Sequence, residues 1–430
     1  MKRLTLLLFS AVLTFAQPDP KQDQSDARQR VRAVRAMASQ GQDAIPKIVP
    51  YIRDADTSVR LEAVKALDDL GGPKTVDGLV EATRDNDPEI QIRAADGLVN
   101  VYLPGYLKTG VSGTLKRAGD SIRAKFTDTN DQIIDAYVEV PLPVIQALGR
   151  QARGGVSFEV RANAARALGI LRGQAAVPDL LEALNSKDNR LMYESLVALQ
   201  KIRDPAAGPG LAFLLRDLDE KVRIAALQAT GILRNQKAAP EVREAIDHPL
   251  TSKTQREALE ALAMIADPAD RGVFLRYLND KDDGLRAGAA EGLARLKNPG
   301  DRIVLDKVFE SERSSNARVS EAFALVSLGS RQMSEFSPLQ YLLNNLNVKA
   351  YRSTAIAFLT ELARDYEVRQ AIYPILTHAT RDEKTGISIV LARSGDRDSE
   401  PYLEALLKDS DPEVMQEGTR SLRTLRTRVR

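Results

Sequence analysis

A short sequence motif recurs along this chain at a fixed interval, and that interval limits the possible folds more than any other property. The tetrapeptide Gly-Ile-Leu-Arg at residues 169–172 returns at residues 231–234, and Lys-Ile-Arg lies midway between the two copies at residues 201–203. The repeat unit is therefore about 31 residues long, a length typical of two-helix repeats. Units of this size bury their apolar faces only against their neighbours, so the chain grows as a stack. The repeat predicts a solenoid rather than separate globular domains.

The same apolar position can be followed in both directions from this motif. Downstream it continues at Ile265, Leu296 and Leu328, and upstream Leu70 and Val101 are separated by one repeat. Beyond Leu328 the spacing becomes less regular. Equivalent positions there are expected near Leu362, Leu391 and either Leu422 or Leu425.

Each unit has the pattern of two consecutive helices. A proline such as Pro178 often opens the first helix, where its missing N–H group is tolerated. The second helix places small and aliphatic residues on one face, as at Ala162, Ala165, Leu168 and Leu171. No alternating strand pattern of comparable strength appears. We therefore expect an all-α chain, an α-α superhelix of about ten to eleven two-helix repeats with one insertion.

The turn between the two helices carries the most specific motif of the chain, Asp-x-Asp-x-x-apolar-x. It occurs five times, and three copies end in arginine. An aspartate at a helix start accepts hydrogen bonds from free backbone N–H groups, and an arginine one turn later can pair with an aspartate of its own or a neighbouring repeat. We favour this structural role over metal binding, because no histidine or further carboxylate converges in sequence. The three complete copies are Asp54, Asp56 and Arg60; Asp217, Asp219 and Arg223; and Asp280, Asp282 and Arg286.

The longer pattern around this motif resembles the HEAT repeat. Residues 54–67 read Asp-Ala-Asp-Thr-Ser-Val-Arg-Leu-Glu-Ala-Val-Lys-Ala-Leu, which is similar to the short bacterial HEAT-like class that includes phycobilin-lyase-type repeats. The resemblance extends from about residue 26 to 430, apart from the insertion, and departs from the pattern at Gln91, at Met415 and across residues 301–396. It implies a HEAT-like solenoid. Because the motif is structural in that family, the resemblance implies no catalytic residue.

The segment at residues 1–16 has the pattern of a signal peptide. Lys2 and Arg3 precede an apolar run from Leu4 to Leu13, and residues 14–16 form a small-x-small cleavage site. The run is too short to cross a bilayer, which needs about 20 residues. A core or anchoring helix is the alternative. We predict an exported protein, periplasmic or extracellular and without a membrane span, in which residues 17–25 are a disordered linker.

The composition disfavours several classes of function. The chain has no cysteine, and its two histidines, His248 and His378, are far apart in sequence. No phosphate-binding loop, zinc spacing or nucleophile elbow is present. Without Lys2 and Arg3, 59 basic residues balance 59 acidic ones, so there is no general attraction to nucleic acid. We expect a protein that is not an enzyme and has no cofactor.

One segment interrupts the repeats. Val101 and the equivalent Leu171 are separated by more than two repeat lengths, yet only one unit, at about residues 141–172, is recognisable between them. We therefore assign residues 103–140 to an insertion between repeats at 26–102 and repeats at 141–430. Its first half is basic and rich in glycine, and insertions in solenoids often carry specificity. The alternative is an elongated helix pair with a long solvated loop.

The stacked second helices are expected to form a concave surface that binds a protein, a peptide or an envelope polymer. A bilin-handling protein, implied only by the resemblance, and a nucleic-acid binder are the alternatives. The positions expected to be exposed on the surface are Glu62, Lys65, Arg166, Tyr193, Gln228, Glu257, Glu260 and Glu291. The candidate binding residues are Tyr102, Tyr106, Lys116, Arg117, Arg123, Lys125, Arg166 and Tyr193.

The C-terminal end of the chain is basic. Residues 420–430 contain five arginines and no acidic residue. We favour a polar last turn that complements the helix dipole and caps the stack. An anion-binding tail is the alternative.

Overall fold

The computed structural model describes residues 20–106 and 132–429, with side chains from residue 25 onward. Within these residues the chain forms α-helices and 3-10 helices and no β-strand. A single helix, α1, is followed by eleven consecutive pairs of helical segments. This confirms the predicted all-α solenoid of ten to eleven repeats. The predicted signal peptide, residues 1–16, lies outside the described residues.

The helices of the amino-terminal half alternate between short and long segments. The first segment of the fifth pair is a 3-10 helix, Pro205–Arg216, in which Pro209 removes a backbone donor. The α-helices here are α1 (Pro20–Ala38), α2 (Ile45–Ile48), α3 (Thr57–Leu70), α4 (Val76–Ala82), α5 (Pro88–Tyr102), α6 (Leu142–Gly154), α7 (Phe158–Ile170), α8 (Val177–Ala183), α9 (Asn189–Ile202) and α10 (Glu220–Ile232).

The carboxyl-terminal half continues the same alternation without interruption. Its α-helices are α11 (Ala239–Asp247), α12 (Ser252–Ile265), α13 (Arg271–Tyr277), α14 (Asp283–Leu296), α15 (Arg302–Ser311), α16 (Ser315–Ser327), α17 (Pro338–Asn344), α18 (Arg352–Leu362), α19 (Tyr366–Ile372), α20 (Arg381–Ser394), α21 (Glu400–Leu406) and α22 (Pro412–Val429).

The second helices of the pairs form one continuous layer in which each packs on the next. The predicted apolar face of α7 is buried in this layer, including Ala162, Ala165 and Leu168. The second helices contact one another more extensively than the first helices do. Because closer packing on one side bends a stack toward that side, the second helices lie on its inner face.

The insertion does not break this layer. Helix α5 ends at Tyr102 and α6 begins at Leu142, on either side of the predicted insertion at residues 103–140. Helix α5 nevertheless packs directly on α7, the next second helix. The insertion therefore does not separate these two neighbouring repeats.

A left-handed residue ends many of the second helices and gives an independent measure of the repeat. These residues have φ angles between 50° and 102° and recur once in every repeat from α7 to α16. Each follows the apolar position identified in the sequence, so the structure confirms the register through Leu328. The left-handed residues of this series are Arg172, Arg203, Arg234, Ala266, Lys297 and Gly329.

The start of the first helix differs from the prediction, and the helix pairs extend through the region where the sequence motif fades. Helix α1 begins at Pro20 rather than Asp26, so residues 20–25 are helical instead of part of a linker. Proline is accepted in a first helical turn, and the polar residues after it do not oppose a helix. Across residues 301–396, where the Asp motif fades, paired helices continue and bury Leu362 and Leu391.

Membrane insertion was also considered. None of the helices among residues 20–106 and 132–429 is both long enough and apolar enough to cross a bilayer.

Candidate binding surface

The paired aspartates of the turn motif organise the start of each second helix. The Asp56 N–H donates to Asp54 Oδ1 at 2.9 Å, and the Ser58 N–H donates to Asp56 Oδ1 at 2.8 Å. The first aspartate thus shapes the turn and the second caps the helix, which confirms the predicted capping role. The four other copies repeat the bond between the two aspartates at 2.8–2.9 Å, at Asp85 and Asp87, Asp217 and Asp219, Asp280 and Asp282, and Asp409 and Asp411.

The motif arginines connect each turn to the next repeat. Arg60 donates from Nη1 to the Asp54 carbonyl oxygen at 3.0 Å and from Nε to Asp85 Oδ2, in the next motif, at 2.7 Å. Arg286 likewise contacts the Asp280 carbonyl and forms a two-point ion pair with Glu312, at 2.7 and 2.9 Å. Pairing with a neighbouring repeat was one of the two predicted possibilities, and these residues adopt it.

The third motif arginine has a different neighbour. Arg223 donates to the Asp217 carbonyl, as the others do, but its second contact is the Thr254 hydroxyl at 3.5 Å. The bond to the backbone is therefore common to the three complete motifs, whereas the ion pair depends on which residue the next repeat supplies.

The same arrangement continues where the sequence motif fades. Arg352 donates to the Leu346 carbonyl at 2.7 Å and pairs with Asp382. Arg369 donates to the Ala363 carbonyl at 2.8 Å and pairs with Asp396. In both cases the arginine lies six residues after the residue whose carbonyl it contacts, as Arg60 does in the complete motif. The motif is not recognisable in the sequence there because Leu346 and Ala363 replace its first aspartate.

Polar and charged residues of α10, α12, α14 and α18 meet on the inner face of the stack. Gln228 donates to Glu257 at 2.9 Å, and Arg295 contacts Glu291 at 3.0 Å and Glu361 at 3.2 Å. The last contact joins α14 to α18 although α16 lies between them. Such a contact is possible because the second helices converge on the inner side of the curve.

This part of the inner face is predominantly acidic. Burial, together with the negative charges of Glu291 and Glu257, raises the pKa of Glu260 to about 8. Glu257, Glu260 and Glu291 are half-buried. Glu62, Lys65 and Tyr193, which were also expected on this face, are half-buried as well, and Glu62 is paired with Arg35 at 2.7 Å.

The expected exposure of Arg166 is wrong. Its side chain is only 6% exposed and donates to Asn163 Oδ1 at 2.5 Å, and it lies 3.4 Å from Asp96. The Tyr106 ring lies 5.5 Å from the Arg166 guanidinium and is itself buried. Burial raises the pKa of the Tyr106 hydroxyl above its ordinary value. Arg166 is buried because α5 supplies a carboxylate and the segment after α5 supplies an aromatic cover.

The remaining candidate residues fall into two groups. Tyr102 ends α5 and is half-buried against the core. The four basic candidates of the insertion lie outside the described residues, and they are Lys116, Arg117, Arg123 and Lys125.

The returning end of the insertion connects distant parts of the stack. The Ile134 N–H donates to the Ile170 carbonyl at 3.0 Å, and Asp135 accepts a hydrogen bond from Arg420 Nε at 2.7 Å. Arg423 lies 5.0 Å from the centre of the Tyr137 ring. Two of the C-terminal arginines therefore contact the insertion, an arrangement that neither sequence-based alternative anticipated.

The chain was compared with known proteins. A model of HEAT repeats matches residues 22–99, 145–231 and 209–294, which together make up more than half of the chain. The chain belongs to the HEAT-repeat family. The last match ends at residue 294, but the HEAT-like helix pairs continue to residue 429 in the structure.

A curated relative and two solved structures resemble this HEAT-repeat chain. Phycocyanobilin lyase subunit alpha of Nostoc sp. is 27% identical over 184 residues, which cover 40% of this chain and 63% of the relative. The chain thus spans less than two thirds of that relative. An engineered protein has a TM-score of 0.39 at 19% identity, covering 89% of this chain and 98% of its own. The YibA protein of Escherichia coli has a TM-score of 0.40 at 17% identity, covering 73% of this chain and 99% of its own.

Among the residues that the structure describes, no group of three or more histidine, aspartate or glutamate side chains could hold a metal ion. The motif aspartates are instead engaged with backbone N–H groups and arginines.

Proposed function

We propose that this HEAT-repeat protein is an exported, non-catalytic scaffold that binds a protein or peptide on the inner face of its second helices. The observation that carries the proposal is the acidic surface formed by Glu257, Glu260 and Glu291, three half-buried residues of the second helices α12 and α14. Stacked repeats provide extended surfaces of this kind for partner binding. A basic segment of the partner would complement its charge.

Partner recovery from the native cell envelope tests the proposal. We compare the wild-type protein with a Glu257→Gln, Glu260→Gln double variant, which keeps side-chain size and removes two carboxyl groups from this surface. Glu244→Gln is the matched control, because Glu244 is exposed on the first helix α11 and pairs with Arg216. A protein recovered by the wild type and the control but lost from the double variant supports the proposal. If every recovered protein binds all three equally, the inner face is not the binding surface.

Export is tested separately. The proposal expects a mature chain beginning at Gln17 in the periplasmic or extracellular fraction. An intact Met1 in a cytosolic fraction contradicts it.

A second candidate function is the handling of a bilin chromophore. It is favoured by one observation, the 27% identity to phycocyanobilin lyase subunit alpha. Titration of the protein with phycocyanobilin, followed by visible absorbance, tests this candidate. An absorbance spectrum equal to that of the free chromophore at every protein concentration rules it out.

A further inference from the structure

Three arginines that play no part in the inner acidic surface meet where the carboxyl-terminal repeats approach the middle of the stack. Arg172 and Arg203 occupy the same position after α7 and α9, with φ angles of 50° and 60°. This left-handed conformation favours glycine, which occurs there at Gly329. Arginine therefore occupies this position at a conformational cost in three successive repeats, of which Arg234 is the third.

The returning end of the insertion brings a third arginine to the same place. Lys201 Nζ donates to the Gln132 carbonyl at 3.1 Å, Ile134 bonds to the last residue of α7, and Asp135 bonds to Arg420 of α22. Helix α20 packs on α22 and carries Arg393 in its last turn. The ends of α7, α9 and α20 consequently lie close together.

The charges in this region are not balanced. Burial lowers the pKa of Arg393, and the positive charges of Arg203 and Arg172 lower it further. Burial also lowers the pKa of Arg172, with a contribution from Arg203. All three residues are nevertheless exposed to solvent, so a dissolved anion can reach them.

The nearby carboxylates do not neutralise the three arginines. Asp135 is already bonded to Arg420 and to the Tyr137 hydroxyl, and Glu417 accepts from Ser421 at 2.9 Å. Within the described residues, the guanidinium groups of Arg172, Arg203 and Arg393 form no ion pair or hydrogen bond. Their donors are therefore available to a ligand.

We propose that Arg172, Arg203 and Arg393 form a binding site for a compact multivalent oxyanion, carrying either phosphate or carboxylate groups. Guanidinium groups present paired N–H donors that match the oxygens of both. A compact ligand is expected because the three arginines come from the ends of three helices that lie close together. A bound anion also removes the mutual repulsion of the three charges. This site is separate from the acidic inner surface, so either proposal can fail alone.

Calorimetric titration of the mature protein with pyrophosphate, and separately with citrate, tests the site at constant ionic strength. We expect one bound anion per chain and at least about tenfold weaker binding after Arg172→Gln, Arg203→Gln or Arg393→Gln. Arg234→Gln is the matched control. Arg234 belongs to the same Gly-Ile-Leu-Arg motif as Arg172 and has the same φ of 50°, but it lies outside the cluster, in a later repeat.

The two titrations also distinguish the chemistry of the ligand. Preference for pyrophosphate assigns the site to phosphate compounds, and preference for citrate assigns it to polycarboxylates. Absence of binding to both anions overturns the proposal, as does equal weakening by Arg234→Gln, which would indicate a general charge effect.

A glycine variant separates binding from folding. Arg172→Gly removes the guanidinium and places glycine in a conformation that it favours. We expect a higher melting temperature together with weaker anion binding. A lower melting temperature would mean that Arg172 is a structural residue, and the assignment would then be wrong.

Discussion

The arginine that follows three of the five motif aspartate pairs links two repeats through one side chain. Arg60 is largely shielded from solvent, with 12% of its side chain exposed, and so is its partner Asp85, with 6%. A pair of this kind differs from a surface ion pair because the planar guanidinium fixes the direction of its donors and the charges are partly desolvated. The backbone carbonyl of Asp54 adds a bond that lysine cannot form at the same time.

We therefore predict that Arg60→Lys lowers the free energy of unfolding by about 1–3 kcal/mol. Arg276→Lys is the control, because Arg276 and Asp247 form an exposed pair at 2.9 Å and such pairs contribute about 0–1 kcal/mol. Thermal melting of the two variants measures the difference. Equal shifts would show that the buried pair contributes no more than a surface one.

A buried carboxyl group leads to a prediction about pH. Glu321 of α16 is fully buried and has no hydrogen-bond donor within the described residues, and burial together with the charge of Glu312 raises its pKa from 4.5 to about 8. The folded state therefore holds a proton that the unfolded state releases. Below pH 4.5 this group costs no stability, and between pH 4.5 and about 8 stability falls as pH rises.

We predict that Glu321→Gln raises the melting temperature at pH 9 and has little effect at pH 5, because the neutral amide removes the cost of ionisation. The gain at pH 9 corresponds to about 1–3 kcal/mol. Glu312→Gln is the comparison, since it breaks the pair with Arg286 and should lower stability at both pH values. A Glu321→Gln effect that is the same at pH 5 and pH 9 contradicts the prediction.

At the scale of helices, the glycine of the repeated tetrapeptide sets the distance between neighbouring second helices. A Cβ atom on Gly169 would lie 2.8 Å from the Ala198 Cα atom, and one on Gly231 would lie 2.8 Å from the Ala261 Cα atom. Both contacts involve backbone, which cannot move without separating the helices. Close packing between neighbouring second helices therefore explains why glycine recurs at the first position of the motif.

Gly169→Ala is expected to destabilise the protein by about 1–3 kcal/mol because the added methyl group forces α7 and α9 apart. Gly272→Ala is the control, since Gly272 in α13 has no atom within 4 Å of the added Cβ. That control should raise stability by about 0.5–1 kcal/mol through helix propensity. Melting curves of both variants test whether the two substitutions change stability in opposite directions.

Much of the helical level could be predicted from the sequence, and the failures have a common cause. The repeat length, the capping of the second helices and their buried face depend on contacts within one repeat or between adjacent repeats. They therefore produce a periodic pattern in the sequence. The burial of Arg166 depends on Asp96, which lies on the far side of the insertion in the sequence. The cluster at Arg172, Arg203 and Arg393 depends on repeats that are not neighbours, and no local pattern records such contacts.

At the scale of the whole molecule, the small rotation between successive repeats decides which distant repeats meet. Asp135 and Arg420 are 285 residues apart in the sequence, yet they form an ion pair. Their contact requires the accumulated curvature of all the repeats between them. The insertion thus acts as a connection between the middle of the stack and its last helix, a role that its composition alone did not indicate.

We predict that Asp135→Asn loosens α22 without unfolding the other repeats. The Asp135 carboxylate is 22% exposed and the Arg420 guanidinium 52% exposed, so the pair contributes about 1 kcal/mol or less. Hydrogen exchange in residues 412–429 should therefore become up to about fivefold faster, because exchange follows the local opening free energy. Exchange in α7 and α9 should change less, since those helices remain packed within the layer.

Glu400→Gln provides the control for this connection. Glu400 pairs with Arg426 of the same helix α22 at 3.0 Å, but this contact lies within the last repeat. Both variants remove one ion pair from α22, and only Asp135→Asn removes its link to the middle of the stack. Loss of pyrophosphate binding in Asp135→Asn, with retention in Glu400→Gln, would show that the connection also holds Arg393 beside Arg172 and Arg203. Unchanged exchange and unchanged binding in Asp135→Asn would mean that curvature alone brings these repeats together.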